Sequence, residues 1–428
     1  MSDDNEERVV VDFDHHSPEL SAQVTDLGVG PLMNEYREKC PVAWTEAHGG
    51  YWLVTGYPQI REISRDDKSF SSDHDPEGNR QGFEGVTIPP TYPVPLGFIE
   101  MDPPEHTAIR KKLMPFFTPK AVEGWRPVVE DLVTAFIDRV IEDGSCEFVQ
   151  DISSPVPAAL TMMMLGANTD NWRVWADANH HTTMYAPGSA GHAEAVQEMM
   201  TVMQELSELI TDRQQNPGTD ESADLITFLC TTEFDGRRLT HDEILLHAVL
   251  LVAGGVDTTT AAMTAAVKWL GEHPQERERL KSGGPELMKT AIEEFLRVSA
   301  PVSGLARTAT CPYEIAGQKI HPGERLLMMF SAANFDPTVF HNPEQVDLQR
   351  SPNRHAAFGL GAHRCIGQHI ARLELETVLW QVLERMPDYV VDSNPTISPD
   401  VGVNQSWVAL PMTFTAGTKV GSTFKPID

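Results

Sequence analysis

Between Ala357 and Glu374 the chain reads AFGLGAHRCIGQHIARLE, and no other stretch restricts the fold as strongly. Three glycines, two histidines and a cysteine crowd into one turn, after which apolar residues recur at helical spacing. Gly359 and Gly361 permit backbone shapes and close approaches that a Cβ would block. Gly367 lets something flat pass close to the start of a helix expected from near Cys365 to about Met386. At such a helix start, unpaired N–H groups and the helix dipole stabilise an anion, which lowers a thiol's pKa. A thiolate held this way is a soft, electron-rich metal ligand. Three readings stay open from the residues alone. One is a buried cysteine in a tight turn. Another is a zinc centre built from His355, His363, Cys365 and His369, whose spacing matches no common finger. The third is an axial thiolate on haem iron.

The remaining residues bound the function. A formal net charge of −29 argues against nucleic acid, whose phosphates demand a basic face. It leaves room for a small basic patch that docks an acidic partner. Five irregularly spaced cysteines do not form a disulfide framework, so Cys40, Cys146, Cys230 and Cys311 read as buried thiols in a reducing cytoplasm. The acidic opening MSDDNEERVVVDFDHH lacks the order of a secretory signal, and no membrane anchor is expected. The longest apolar region, ILLHAVLLVAGGVDTTTAAM, carries His247, Asp257 and a threonine run, and reads as a buried helix.

Periodicity predicts a mainly α chain with a small β portion, in one domain over residues 1–428. GGYWLVTGY reads as a strand. Ser71 to Pro104 is loop-like, because the prolines of IPPTYPVPLGF forbid a regular helix or central strand. Tyr92, Leu96 and Phe98 give that loop an apolar contact surface. From His106 to about Thr290 the pattern is mostly helical. Its longest member, LTHDEILLHAVLLVAGGVDTTTAAMTAAVKWLGEHP, is expected as a single helix of roughly 45–50 Å. It opens on a capping box of Thr240 and Glu243 and ends before Pro274. YEIAGQKIHPGERLLMMFSA predicts three strands joined by turns, and GVNQSWVALPMTF predicts a hairpin.

The cysteine turn resembles the haem-binding loop of the cytochrome P-450 monooxygenases, soluble bacterial type. The match runs through Phe358, Gly359, Gly361, His363, Cys365, Gly367, Ile370, Ala371 and Arg372. Further family motifs follow in order along essentially the whole chain. The resemblance implies a triangular helical prism, with haem b between the long central helix and the helix after Cys365, its iron ligand. Gly254 to Thr258, GGVDT, would cover the distal face of the haem, with Asp257 and Thr258 delivering protons to the oxygen being activated. His106, Arg110, Arg307 and His363 would clamp the haem propionates. Glu294 and Arg297, at i and i+3, would form a buried structural pair. The resemblance places their third, cationic partner where this chain has Gln345.

The implied activity is hydroxylation of a hydrophobic small molecule, terpenoid, steroid or fatty-acyl-like, with dioxygen and two electrons. The alternatives are a peroxygenase driven by hydrogen peroxide and a non-catalytic haem-binding sensor. No nucleotide motif or cluster-binding cysteine set is present, so electrons would come from a ferredoxin and its reductase. Arg364, Arg372, Lys111 and Lys112 could form the dock for an acidic ferredoxin. The enzyme is expected as a cytoplasmic monomer. Its substrate pocket is expected from Tyr92, Leu96, Phe98, Val249, Ala253, Val302 to Leu305, and Trp407.

Overall fold

A computed structural model describes residues 8–79, 85–91, 94–218, 220, 223–392 and 395–426. A five-stranded sheet gathers β1 (Val42–Thr45), β2 (Tyr51–Val54), β3 (Phe70–Ser71), β4 (Leu305–Ala309) and β5 (Arg325–Met328) in the order β1-β2-β5-β4-β3. Only the β5–β2 pair is parallel, with Leu327 opposite Leu53. All four residues of β2 are buried, as a strand covered on both faces requires. One face packs Leu53, Ala306 and Leu327 against Val11 and Met33, and the other packs Trp52, Leu326 and Met328 against Ile60 and Ile63.

The larger core is helical. It is built from α1 (Glu105–Leu113), α2 (Arg126–Val140), α3 (Pro155–Leu165), α4 (Trp172–Met184), α5 (Ala190–Gln215), α6 (His241–Gly255), α7 (Asp257–Glu272), α8 (Gly284–Ser299) and α9 (Gln368–Arg385). α6 packs on α3 and α5, while α7 packs on α8 and α9. The strands Tyr313–Ile315 and Gln318–Ile320 and the strand β5 reproduce the expected order after Pro301.

Three expectations are corrected. The long helix is two helices joined at a bend. Val256 lies at φ −94°, ψ −71°, although the ladder passes through it from Val252 to Thr260. The adjacent Gly254–Gly255 pair weakens the helix at that point. The Thr258 hydroxyl also donates to the Gly254 carbonyl at 2.9 Å, a back-bond that favours bending. The α6–α7 run is long and apolar enough to cross a membrane, but 61% of its most apolar window is buried inside the fold.

The tail is not a hairpin. Trp407–Ala409 pairs with Thr396–Ile397, whereas Pro411–Thr413 pairs with Val390–Val391 and Ser145–Glu147. Only Leu410 separates the two segments, so the chain has no residues with which to turn. Finally, α9 starts at Gln368, so Cys365 sits just before the helix rather than in its first turn.

Candidate functional site

A mostly apolar cavity separates the α6–α7 bend from the cysteine turn. Gly254, Gly255 and Thr258 line it from the helix bend, and Phe358, Cys365 and Gly367 line it from the cysteine turn. The glycines are needed for different reasons. A Cβ on Gly254 would meet nothing within 4 Å, so its face is open room, whereas one on Gly255 would come within 2.6 Å of the Thr161 hydroxyl. In the turn, Gly361 has φ +71° and its Cβ would lie 1.6 Å from the Ser64 carbonyl oxygen. Gly361→Ala therefore combines backbone strain with a clash against main chain. It should destabilise the fold by about 2–4 kcal/mol, read as a shifted denaturant midpoint with an unchanged slope.

Cys365 is half-buried, and its turn is closed by its own N–H donating to the Phe358 carbonyl at 2.8 Å. Burial pushes its thiol above the ordinary value, against the Gly367 N–H and the charges of Arg110, Arg372 and Arg364. The helix end alone thus does not make the thiolate that the sequence led us to expect. A metal ion held by this sulfur would deprotonate it outright and so supply what the helix end lacks.

At the cavity's edge stand four basic groups. The rings of His106 and His363 lie with centroids 4.0 Å apart and planes tilted by 31°, and both feel the charges of Arg110 and Arg307. Burial pulls His106 down to about 4, helped by Arg110 and Arg307. Burial also lowers His363, and pulls Arg307 to about 10. Among the described residues, both ring nitrogens of His106 are buried without a partner, and His363 has only the Ser72 hydroxyl at 3.3 Å. Orphaned buried donors beside two guanidinium groups call for anions. The two propionates of a haem would meet that demand, and the Cys365 thiol, lining the same cavity as the open face of Gly254, would meet the need of its iron. The residues present therefore fit the group.

Thr258 lines the cavity but Asp257 does not. Asp257 turns into the protein, where it accepts from His180 Nδ1 (2.7 Å), Thr183 (2.7 Å) and Asn404 (2.9 Å). Burial alone would raise its pKa, but these partners bring it below the usual carboxylate value. Burial likewise works against a charged His180, yet Asp257 holds it above its ordinary value.

Of the expected pocket residues, Phe98, Val302 and Leu305 line the cavity. Val249 and Ala253 do not. The lining face of the helix is Leu250, Leu251, Gly254, Gly255, Thr258, Thr259 and Ala262, one residue further round. Stepping back four residues at a time from Thr258 would have found it. Leu96 packs into the helical core, and Trp407 instead lies under Lys268 Nζ, 4.6 Å from the ring centroid. Tyr92 lies outside the described residues. Sequence reasoning missed Glu374 on α9. It reaches the same cavity, its Oε1 has no partner among the described residues, and burial lifts its pKa well above the ordinary range.

The proposed zinc set does not assemble. His355 bonds Glu293 at 3.0 Å, and none of the four residues belongs to a metal-sized cluster among the described residues. The structural pair does form, fully buried, with Arg297 bidentate on Glu294 at 2.9 and 2.8 Å. Its third member is Arg350, which reaches both Glu294 oxygens at 3.1 and 3.0 Å. Gln345 contributes only its carbonyl oxygen.

The family model described as cytochrome P-450 matches residues 52–282 and 286–392. The steroid C26-monooxygenase of Mycobacterium tuberculosis is 32% identical over 339 residues, 78% of this chain and 90% of that protein. The vitamin D3 dihydroxylase of Streptomyces griseolus is 31% identical over 341 residues, 78% and 80% respectively. A solved structure of a Mycobacterium marinum cytochrome P-450 in complex with pseudoionone superimposes with a TM-score of 0.83 at 28% identity. That match covers 96% of this chain and 100% of the other.

Proposed function

The chain belongs to the cytochrome P-450 family, and on that premise we propose that it hydroxylates a large apolar molecule of steroid or isoprenoid type. The observation that carries this reading is the cavity itself. A single thiol, that of Cys365, lines it together with the open side of Gly254, with Thr258 and with mostly apolar side chains. The family's cofactor is protoporphyrin IX haem, which when bound supplies reductive activation of dioxygen and insertion of one oxygen atom into a C–H bond.

The chain's own residues do the rest. Cys365 would hold the iron through Sγ, and His106, Arg110, Arg307 and His363 would hold the propionates. Gly254 leaves space above the cofactor. The Thr258 hydroxyl, anchored to the Gly254 carbonyl, presents an oxygen that can order a water or pass a proton. Glu374, whose carboxyl burial pushes well above its ordinary value, is a second titratable group on the cavity wall. Asp257 serves proton delivery only if it leaves His180, Thr183 and Asn404. Leu250, Leu251, Phe98, Val302 and Leu305 exclude water and favour a substrate without charge. The substrate class takes further support from relatives named for steroids and vitamin D3.

Electrons would come from a ferredoxin and its reductase. Lys111, Lys112 and Arg364 are exposed near the cysteine turn and suit an acidic donor. Arg372 leaves that set, because its guanidinium is paired with Glu293 at 2.6 and 2.8 Å. Five free cysteines agree with a reducing, cytoplasmic setting.

A spectral titration of the ferric enzyme tests the substrate class. Sterols and isoprenoids should displace the distal water at low micromolar concentration, and short polar acids should not. Tight binding of the acids alone would reverse the assignment. Thr258→Ala should fold normally, since only a local back-bond is lost. It should raise the hydrogen peroxide released per electron several-fold, measured with product in the same assay. Unchanged coupling would remove Thr258 from proton handling.

A further inference from the structure

Asp14, His15 and His48 bring one donor atom each to a common point at the edge of the β-sheet, all within 4.8 Å of one another. We propose that they bind one divalent transition ion of the zinc class. None of the three lines the cavity at the cysteine turn, and the site does not depend on the haem chemistry.

The three ligands arrive from two pieces of chain. Residues 9–11 lie along the edge of β1, with the Trp44 N–H donating to Val9 and the Val11 N–H donating to Trp44, each at 2.8 Å. The segment then delivers Asp14 and His15. His48 stands in the turn between β1 and β2 at φ +51°, ψ +33°. This left-handed conformation is uncommon outside glycine, and it carries the imidazole back over the N-terminal segment. The His48 ring centroid is 5.6 Å from that of His15, and His48 Nε2 is 2.8 Å from Asp14 Oδ1.

His15 is buried, and its Nδ1 meets the Tyr51 hydroxyl at 2.8 Å, which fixes the ring. Outer partners of this kind orient metal-binding histidines. His16 lies 4.2 Å from the His15 ring, but its nitrogens are committed to Asp400 (2.6 Å) and the Ile88 carbonyl (3.1 Å). It is therefore a support rather than a ligand, and it couples the site to two further loops.

Zinc–nitrogen and zinc–oxygen bonds near 2.0–2.1 Å put tetrahedral ligands about 3.3 Å apart. Half-buried Asp14 and exposed His48 can close that distance by side-chain rotation. Two imidazoles and one carboxylate favour zinc over magnesium or calcium, which take oxygen ligands, and water completes the fourth position. The ion would pin the N-terminal segment to the β1–β2 turn.

The test uses chelator-treated holoenzyme, so that haem absorbance reports folding throughout. Isothermal titration with zinc chloride should give one site per chain, and elemental analysis after gel filtration should give one zinc per iron. Saturating zinc should raise Tm by about 2–5 °C. Magnesium chloride should do neither. His48→Ala and Asp14→Asn alter exposed or half-buried groups and should keep the haem spectrum while weakening zinc at least about tenfold. His341→Ala, at an exposed histidine elsewhere, should bind as the parent does. Absence of a stoichiometric zinc in the parent, or undiminished binding in both site variants, overturns the proposal.

Discussion

Cys365→Ser is expected to abolish the far-shifted Soret band of the reduced carbon-monoxide complex and to cut product formation on the order of 10³-fold, about 4 kcal/mol of barrier. The substitution changes one atom. The turn is held by backbone, with the Cys365 N–H on the Phe358 carbonyl and the Gly359 N–H on the Ala356 carbonyl, and neither bond needs sulfur. Of the five cysteines, only Cys365 lines the cavity, and no other thiol can take its place. Serine is a far weaker ligand for iron and does not push electron density toward the oxygen bond that must break. The protein should therefore fold and lose its spectrum. A far-shifted band that survives in the serine variant would mean that another residue holds the iron.

The second large effect is on stability. Arg297→Ala should cost about 3–5 kcal/mol and lower the haem retained after purification. Arg297 and Glu294 are fully buried, and Arg297 also donates to the carbonyls of Asn334 (2.9 Å) and Pro343 (2.8 Å). Truncation leaves a buried carboxylate with only Arg350, Asn353 and the Asp347 N–H, and strands two carbonyl oxygens. Arg297→Lys should recover little, because one ammonium cannot reproduce the fork. Denaturant unfolding of the holoenzyme measures the loss. A shift below about 1 kcal/mol would show that Arg350 carries the network alone.

The neighbouring Glu293 gives this region its acid sensitivity. Burial would raise its pKa, but Arg372 and His355 bring it down to about 2. A carboxylate depressed in the folded state stabilises above its unfolded value near 4.5, and that contribution fades as pH falls toward 2. Because Arg372 stands on α9 and His355 just before the cysteine turn, haem loss should accompany acid unfolding over this window. Glu293→Gln should flatten the dependence.

Much of the site was legible because its chemistry is local. The cysteine turn, the Thr240–Glu243 capping box, and the Glu294–Arg297 spacing are each defined by residues a few positions apart. Local sequence fixes such geometry before any packing occurs. Errors arose where a partner comes from elsewhere. Gln345 stands where the resemblance places a cation and cannot supply one, and the third partner, Arg350, comes to Glu294 from the loop that follows. Val249 and Ala253 were one residue off, because a helix that is apolar on nearly every face does not announce its rotation.

What the sequence alone determined is therefore the thiol's turn, the order of helices and strands, and the pairs set by helical spacing. Tertiary structure decided which way side chains on those elements face. It sent Asp257 to His180 rather than to the cavity, placed Trp407 under Lys268, and left Glu374 Oε1 on the cavity wall with no partner among the described residues. It also reversed the direction expected at Cys365, since burial outweighs the Gly367 N–H and the charges of Arg110, Arg372 and Arg364. The reason is physical. Backbone conformation follows near neighbours, whereas burial and charge pairing are sums over whatever the fold brings close.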